Sequence, residues 1–424
     1  MYSLEGAKTL DEQDELRSFR AQFYIPERDG KQLIYFCGHS LGLQPKATAE
    51  YINQELEDWS KLGVEGHFKA KHPWLHYHTF FSKSLAALVG AKPSEVIAMN
   101  SLTVNLHLLL TSFYRPTGKR VKIIMEANSF SSDVYAVYSQ IKLHGLSPKK
   151  VVIELKPRKN EYTLRMEDIA KTIHSAGNEL SLVMMSGVNY LTGQAYDIEA
   201  ITKAAHKVGA KAGFDLAHSI GNTPLSLHKW GVDFAVWCSY KYLNSGPGAV
   251  GGAYIHERYA SGKTLHRLAG WWGHDETERF LMKPEFKPSP GAAGWQLSNA
   301  PVFNMCAHRA SLDIFDAAGM KAIVKKSRSM VTYLEDMLVA RCNKEMGYAI
   351  RIITPRSIDE RGNQLSIMVH KEAQQLFNLI SDAGFVCDYR HPNIIRVAVA
   401  PLYNSYEEVY HFATFMAEHC KYVS

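Results

Sequence analysis

The chain has 424 residues, a formal net charge of +6, 46% hydrophobic residues and 21% charged residues. These proportions are typical of a globular protein, and the length predicts two domains or one large domain with an appendage. Basic residues form only short clusters such as Lys149-Lys150, which argues against nucleic acid as a partner. No run of 18 apolar residues occurs, so a membrane-spanning helix is not expected.

The N-terminal residues and the cysteines indicate the compartment. Residues 11–15 carry four acidic side chains where a secretory signal needs a basic start and an apolar core. The six cysteines are far apart and form no C-x-x-C pair, which favours reduced thiols over a disulfide framework. We therefore expect a cytoplasmic protein.

The first eighty residues predict two helices, at 9–24 and 46–61, separated by a loop at 38–42. Apolar strand patterns and helical patterns then alternate along the chain. The predicted strands are 96–99, 121–125, 151–155, 180–185, 212–215, 234–238 and 249–255. The predicted helices are 80–89, 103–114, 131–143, 166–175 and 197–208. This alternation predicts an α/β fold with a mainly parallel sheet covered by helices on both faces.

The pattern changes after about residue 310. A long helical pattern over 307–343 leads into predicted strands 350–353, 365–369 and 394–399, a short strand near Val386, and helices 371–383 and 406–419. We therefore predict a large α/β domain over 62–306. Residues 1–61 and 307–424 are predicted to form a smaller α+β domain.

A lysine and an aspartate follow two apolar strands of the predicted sheet. Lys241 comes just after the strand 234–238, and Asp215 closes the strand 212–215. Pyridoxal phosphate needs this pair, because a lysine amine forms a Schiff base with its aldehyde and a carboxylate keeps its pyridine nitrogen protonated. The sequence therefore predicts a pyridoxal phosphate site at this edge of the sheet.

Other residues meet the remaining needs of that cofactor. Leu102 and Thr103 start a helix whose backbone N–H groups can bind the phosphate. Phe130 follows the strand 121–125 and can pack on the ring, and His218 follows Asp215 closely enough to face the same cleft. The neutral donors that we predict for the phosphate are Tyr240, Trp271 and Asn299.

Three other kinds of site compete with this one in the sequence. Residues 246–251 match G-x-G-x-x-G, but a strand pattern follows them where a dinucleotide site needs a helix. His72, His76 and His78 suggest a metal site. However, Pro73 disrupts the helix that would place His72 and His76 on one face, and no carboxylate is close in sequence. No G-x-S-x-G elbow for a serine hydrolase is present.

Several ordered strings make the chain similar to a known family. They are residues 102–108, 213–218, 230–235, 237–244, 298–299, Arg396 and 401–405. The chain resembles the kynureninase family of fold-type-I pyridoxal phosphate enzymes, in the class V aminotransferase branch, over nearly its whole length. The resemblance implies a seven-stranded sheet, a pyridoxal phosphate cofactor and hydrolysis of kynurenine or 3-hydroxykynurenine to an anthranilate and L-alanine.

The resemblance also implies a role for each matching residue. Lys241 and Asp215 are expected to be catalytic, with Tyr240 as a proton donor. The cofactor contacts that it implies are Leu102, Thr103, Phe130, Asp133, Ser186, Asp215, His218, Tyr240, Lys241, Trp271 and Asn299. The substrate contacts that it implies are Arg396, which would hold the α-carboxylate, and His67, Ser40, Ser298 and Asn299.

Family members are homodimers whose active sites use residues of both chains, so Trp271 and Asn299 are candidates to act in the partner's site. One position departs from the family, whose loop usually reads Gly-Asn-Ser-Leu-Gly where this chain has His39 within 38–42. An imidazole can replace the amide as a donor, but its charge varies near pH 6.5. Other reactions on this fold stay open, namely a cysteine desulfurase or an aminotransferase, as does a non-catalytic binding protein.

Overall fold

The computed structural model describes residues 2–260, 265–342 and 350–419. Its larger sheet has seven strands. From one edge to the other they are Val96–Ala98, Gly252–Ile255, Phe234–Trp237, Lys211–Asp215, Leu180–Ser186, Lys122–Glu126 and Val152–Leu155. The last five are mutually parallel, and Gly252–Ile255 runs antiparallel to both of its neighbours. The predicted α/β class with a mainly parallel sheet is confirmed.

The strands in the middle of this sheet are apolar on both faces, because helices cover both sides. Their side chains enter two separate buried clusters, one on each face of the sheet. The helices of this part are Thr48–Leu62, Gly66–Lys69, Ser82–Val89, Leu102–Phe113, Ser131–Leu143, Pro148–Val151, Met166–Ala176, Ile198–Lys207 and Leu227–Trp230.

A second sheet is built by the C-terminal part of the chain. Its order is Ile350–Ile352, Gln364–Val369, Ile394–Ala398 and Asp388–Arg390, and all of its pairs are antiparallel. Helices Met320–Cys342, Ala373–Asp382 and Tyr406–His419 pack on it around their own buried cluster.

The N-terminal segment joins this second unit. Strand Ile34–Tyr35 pairs in parallel with Phe385–Val386, and Glu27–Arg28 forms a small hairpin with Lys31–Gln32. The domain boundaries at 61/62 and 306/307 remain a prediction. Among the described residues, no helix has both the length and the apolar character that crossing a membrane requires.

Two predicted helices were wrong in extent. The pattern over 9–24 is instead a helix at Leu4–Glu12 and a 3₁₀ turn at Arg17–Gln22. The Asp14 side chain accepts the Leu16 N–H at 2.9 Å, a local bond that competes with helix continuation. The pattern over 307–343 is two helices, Val302–Ala318 and Met320–Cys342, because Gly319 separates them with a left-handed φ of 74°.

Candidate active site

The carboxyl ends of neighbouring parallel strands bring polar side chains into one cleft. Ser186 and Asp215 end adjacent strands and pair directly in register, and Glu126 ends the strand beyond Ser186. Lys241 lies in the loop that follows Phe234–Trp237. This edge of an open α/β sheet is where ligands bind. The cleft is lined by Leu102, Thr103, Glu126, Phe130, Ser132, Asp133, Ser186, Val188, Tyr190, Asp215, Ala217, His218, Tyr240 and Lys241.

Lys241 reaches into this cleft with a histidine beside its amine. Its Nζ lies 3.0 Å from Nε2 of His218 and 5.6 Å from the ring centre of Phe130. Burial, and then the charge of Lys241, hold the pKa of His218 well below its usual range. A neutral imidazole can therefore position the amine without repelling it.

Two carboxyl groups, Asp215 and Asp133, meet on the floor of the cleft. Burial raises the pKa of Asp215, while the Ala217 N–H, 2.7 Å from Oδ1, and the charge of Lys241 oppose that rise. The pKa of Asp133 is raised further, because burial acts together with the charge of Asp215 and a hydrogen bond to it. Of the two carboxyl groups, Asp133 therefore holds a proton more readily than Asp215.

The helix Leu102–Phe113 points its N-terminus at the cleft. Ser101 occupies the N-cap position but makes no side-chain cap bond, which leaves the first N–H groups of the helix available. The Thr103 hydroxyl lies 2.7 Å from the Ser132 hydroxyl. A Cβ at Gly251 would lie 3.1 Å from the Leu102 nitrogen, so the absence of a side chain there leaves this N–H uncrowded. These groups form a cradle suited to an anion.

Arg396 is almost fully buried and is held by an aspartate opposite it in the second sheet. Its Nε and Nη2 lie 3.0 and 2.8 Å from the two carboxylate oxygens of Asp388, and its Nη1 donates to the Tyr190 carbonyl at 2.7 Å. Burial opposes ionisation of Asp388, but the hydrogen bond and charge of Arg396 lower the pKa of its carboxyl. Three of the five N–H donors are thus used, and two remain for a carboxylate.

The loop 38–42 docks against the loop that carries Lys241. The Gly42 N–H donates to the Tyr240 carbonyl at 2.8 Å, and a Cβ at Gly42 would meet the Lys241 carbonyl at 2.4 Å. The Ser40 hydroxyl donates to Asp388 at 3.0 Å. Only glycine fits at position 42, because the two backbones touch there.

The comparisons with known proteins agree with this geometry. A kynureninase of Myxococcus xanthus (strain DK1622) is 55% identical over 416 residues, which cover 98% of this chain and 97% of that one. A kynureninase of Christiangramia forsetii is 49% identical and covers 97% of each chain. The chain belongs to the kynureninase family. A model of the kynureninase C-terminal domain matches residues 323–416, and one of the DegT/DnrJ/EryC1/StrS aminotransferase family matches residues 49–231.

Solved structures of lower sequence identity share only the fold with this chain. A cysteine desulfurase from Thermococcus onnurineus NA1 superposes with a TM-score of 0.76 at 19% identity, over 92% of this chain and 95% of that one. A cysteine desulfurase from Escherichia coli gives the same TM-score at 17% identity, over 96% and 98%. The chain therefore has the fold of fold-type-I pyridoxal phosphate enzymes, as predicted.

The kynureninase family implies pyridoxal phosphate, and the cleft residues fit that group. Glu126 Oε2, Asp133 Oδ1 and His218 Nδ1 are buried and lack a hydrogen-bond partner among the described residues. Such buried polar atoms call for a ligand. A lysine amine, an aspartate and an open helix N-terminus face the same space, and these are the partners of an aldehyde, a pyridinium and a phosphate.

Four residues that the family pattern suggests lie away from this cleft in the single chain. Ser298 and Asn299 are exposed and line a different hollow, behind the start of the helix Leu102–Phe113. Trp271 is 49% exposed, and its indole N–H donates to the Arg279 carbonyl at 3.2 Å. The His67 ring packs edge-on against Trp74.

The other candidate sites have ordinary explanations. His72 lies 3.2 Å from Glu55, whereas His76 and His78 face Glu276, so the three imidazoles do not converge. The strand Gly252–Ile255 follows residues 246–251 directly, as predicted. These glycines therefore do not precede a helix, as the glycines of a dinucleotide site would.

Several residues of the site, among them Glu126 and Asp388, were missed in the sequence. Glu126 closes an apolar strand just as Asp215 does, so the same rule could have found it; its Oε1 accepts the Ser186 hydroxyl. Asp388 is set against Arg396 by the register of an antiparallel pair, for which the sequence carried no signal.

Proposed function

We propose that this protein hydrolyses L-kynurenine, or its 3-hydroxy form, to anthranilate or 3-hydroxyanthranilate and L-alanine, a step of tryptophan degradation that leads towards pyridine nucleotides. Family membership over nearly the whole chain supports the reaction. The observation that carries it is the cleft lined by Lys241 and Asp215, next to which the buried Arg396 donates to the carbonyl of the lining residue Tyr190.

Pyridoxal phosphate would be held by residues of every wall of the cleft. Asp215 would hold the ring nitrogen, Phe130 would pack on the ring, and Thr103 with the N-terminus of its helix would hold the phosphate. Asp133, Ser186, His218 and Tyr240 complete the contacts that we assign. When bound, the cofactor supplies an electron sink for the charge left at the α- and β-carbons of the substrate.

Residues of the chain hold the substrate and transfer its protons. Arg396 holds the α-carboxylate through its two remaining N–H groups, since a guanidinium matches a carboxylate in shape and charge. The Lys241 amine removes the proton from the α-carbon, and His218 orients that amine by the bond at 3.0 Å. Water adds to the γ-carbonyl, and the Cβ–Cγ bond breaks as the carboxyl group of the anthranilate forms.

Tyr240 suits the last proton transfer. Burial, and then Cys238 beside it, raise the pKa of the Tyr240 phenol above its usual value. The phenol therefore keeps its proton at neutral pH and can deliver it to the β-carbon, which becomes the methyl group of alanine.

The active form that we propose is a cytoplasmic homodimer with shared sites. Ser298 and Asn299 are exposed, Trp271 is half exposed, and all three lie outside the cleft of their own chain, as expected of residues that serve a partner. Trp59 is 58% exposed and packs against the exposed Phe303, and Val64 and Phe68 are also exposed on the same stretch of chain. Such clustered apolar side chains favour a protein interface.

The test is a comparison of two substrates with the purified, cofactor-loaded protein. L-Kynurenine should yield equal amounts of anthranilate and alanine, and L-cysteine should yield no sulfide. A desulfurase uses an accessible cysteine, whereas Cys37, Cys238, Cys306 and Cys387 are all buried. Sulfide release without anthranilate would overturn the proposal in favour of that reaction.

A further inference from the structure

Within the described part of the chain, one buried side chain next to the cleft lacks any hydrogen-bond partner. His39 is only 1% exposed, yet neither Nδ1 nor Nε2 has a hydrogen-bond partner among the described residues. Burying an unpaired polar group destabilises a fold, so such groups are rare and call for an explanation. A ligand that arrives at His39 would supply the missing partner.

His39 lies between the lysine and the arginine clamp. Its ring centre is 6.5 Å from that of His218, which contacts Lys241, and a ring nitrogen lies within 4.8 Å of the Asp388 carboxylate, which holds Arg396. An amino acid with its α-carbon at Lys241 and its carboxylate at Arg396 must cross the space beside this imidazole.

The charges around His39 favour an anion. Arg390 and Arg396 both pair with Asp388, so the three groups together carry one net positive charge. The remaining titratable groups that face the ring are Lys241, the neutral His218 and the buried Cys37. One carboxylate would balance the net positive charge of Arg390, Arg396 and Asp388.

We propose that His39 is a substrate-binding residue of this enzyme, whose neutral imidazole donates an N–H to the α-carboxylate of the amino acid held on Arg396. The inference rests on the proposed function and deepens it. Burial, and then the charge of Arg396, lower the pKa of His39 well below its usual value, so the ring keeps one donor and one acceptor nitrogen. In this respect it resembles a side-chain amide, which explains how a histidine serves where an asparagine is usual.

The test compares His39→Leu, which fills the space without a donor, with His39→Asn, which restores one. A hydrogen bond to a charged group is worth about tenfold or more in binding, so His39→Leu should raise the KM for kynurenine by about that factor. His39→Asn should remain within about threefold of the parent. Both should bind pyridoxal phosphate as the parent does, judged by the visible absorption of the loaded protein.

A second probe separates recognition from structure. Decarboxylated kynurenine, an amine without the α-carboxylate, should inhibit the parent and His39→Leu equally well. Equal weakening of kynurenine and of this analogue would overturn the inference and make His39 a structural residue, and so would an unchanged KM in His39→Leu. If the parent itself leaves kynurenine intact, the proposed function fails instead, and that result is visible before any variant is made.

Discussion

The amine of Lys241 lies 3.0 Å from Nε2 of His218, and that imidazole is held neutral by its burial. His218 follows Asp215 by three residues, so one strand end delivers both the carboxylate and the group that orients the lysine. Because the imidazole of His218 is neutral, it can be buried beside the charged amine of Lys241.

Removing this contact should slow turnover. His218→Phe keeps a flat ring but loses the nitrogen, so kcat should fall about tenfold to a hundredfold, in line with the loss of a hydrogen bond to a charged group. His218→Asn should recover part of the loss. Steady-state kinetics with kynurenine measure both, and an unchanged kcat in His218→Phe would mean that the contact has no role in proton transfer.

Filling the phosphate cradle should weaken cofactor binding. In Gly251→Ala the new Cβ would lie 2.7 Å from the Trp237 carbonyl and 3.1 Å from the Leu102 nitrogen. Overpacking at such a site costs about 1–3 kcal/mol, so the Kd for pyridoxal phosphate should rise about tenfold. Titration of the apo-protein measures it. Most of the kcat should return at saturating cofactor, and unchanged affinity would contradict the assigned cradle.

Acid stability should depend on a histidine beneath the lysine loop. His308 is fully buried, bonds Ser245 at 2.7 Å, and burial lowers its pKa to about 3. Between about pH 3 and 6.5 the unfolded chain binds a proton that the folded one does not, so stability present above pH 6.5 is lost as the pH falls.

His308→Gln removes this titration. From pH 7.5 to 5.0 the free energy of unfolding of the parent should fall by about 2 kcal/mol more than that of the variant. Urea unfolding at both pH values, with saturating cofactor, gives the two differences. Equal losses would show that His308 is not buried in its neutral form.

If each active site uses residues of both subunits, mixing two inactive variants should restore part of the activity. Lys241→Ala lacks the amine, and a Trp271→Ala/Asn299→Ala variant lacks the residues that we assign to the partner's cleft. In an equilibrated equal mixture half of the dimers are hybrids with one intact site, so about a quarter of the parent activity should appear. No rescue in a mixture with proven subunit exchange would place these residues in their own chain's site.

The sequence alone predicts the positions of those site residues that come directly after a strand of the sheet. A residue after a buried parallel strand lies at the ligand edge of the sheet, and this rule placed Asp215 and Lys241 at the edge where the structure has them. The helix Ser131–Leu143, which carries Asp133, was predicted to the residue from its periodicity.

Other features depend on information that no local pattern holds. Asp388 opposes Arg396 only because an antiparallel register sets them across from each other. The orphaned nitrogens of His39 depend on packing between a loop near the N-terminus and the C-terminal sheet. Trp271 and Asn299 lie outside the cleft of their own chain, so the fold of a single chain cannot define their role.

The proposed function depends on proton transfer by Lys241 in the cleavage of kynurenine. The most direct measurement is anthranilate release by Lys241→Ala, loaded with pyridoxal phosphate, beside the parent and a Lys149→Ala control on the surface. We expect Lys241→Ala to lose turnover and the visible absorption of the lysine-bound cofactor, while the control keeps both. Anthranilate production by Lys241→Ala at the rate of the parent would contradict this expectation.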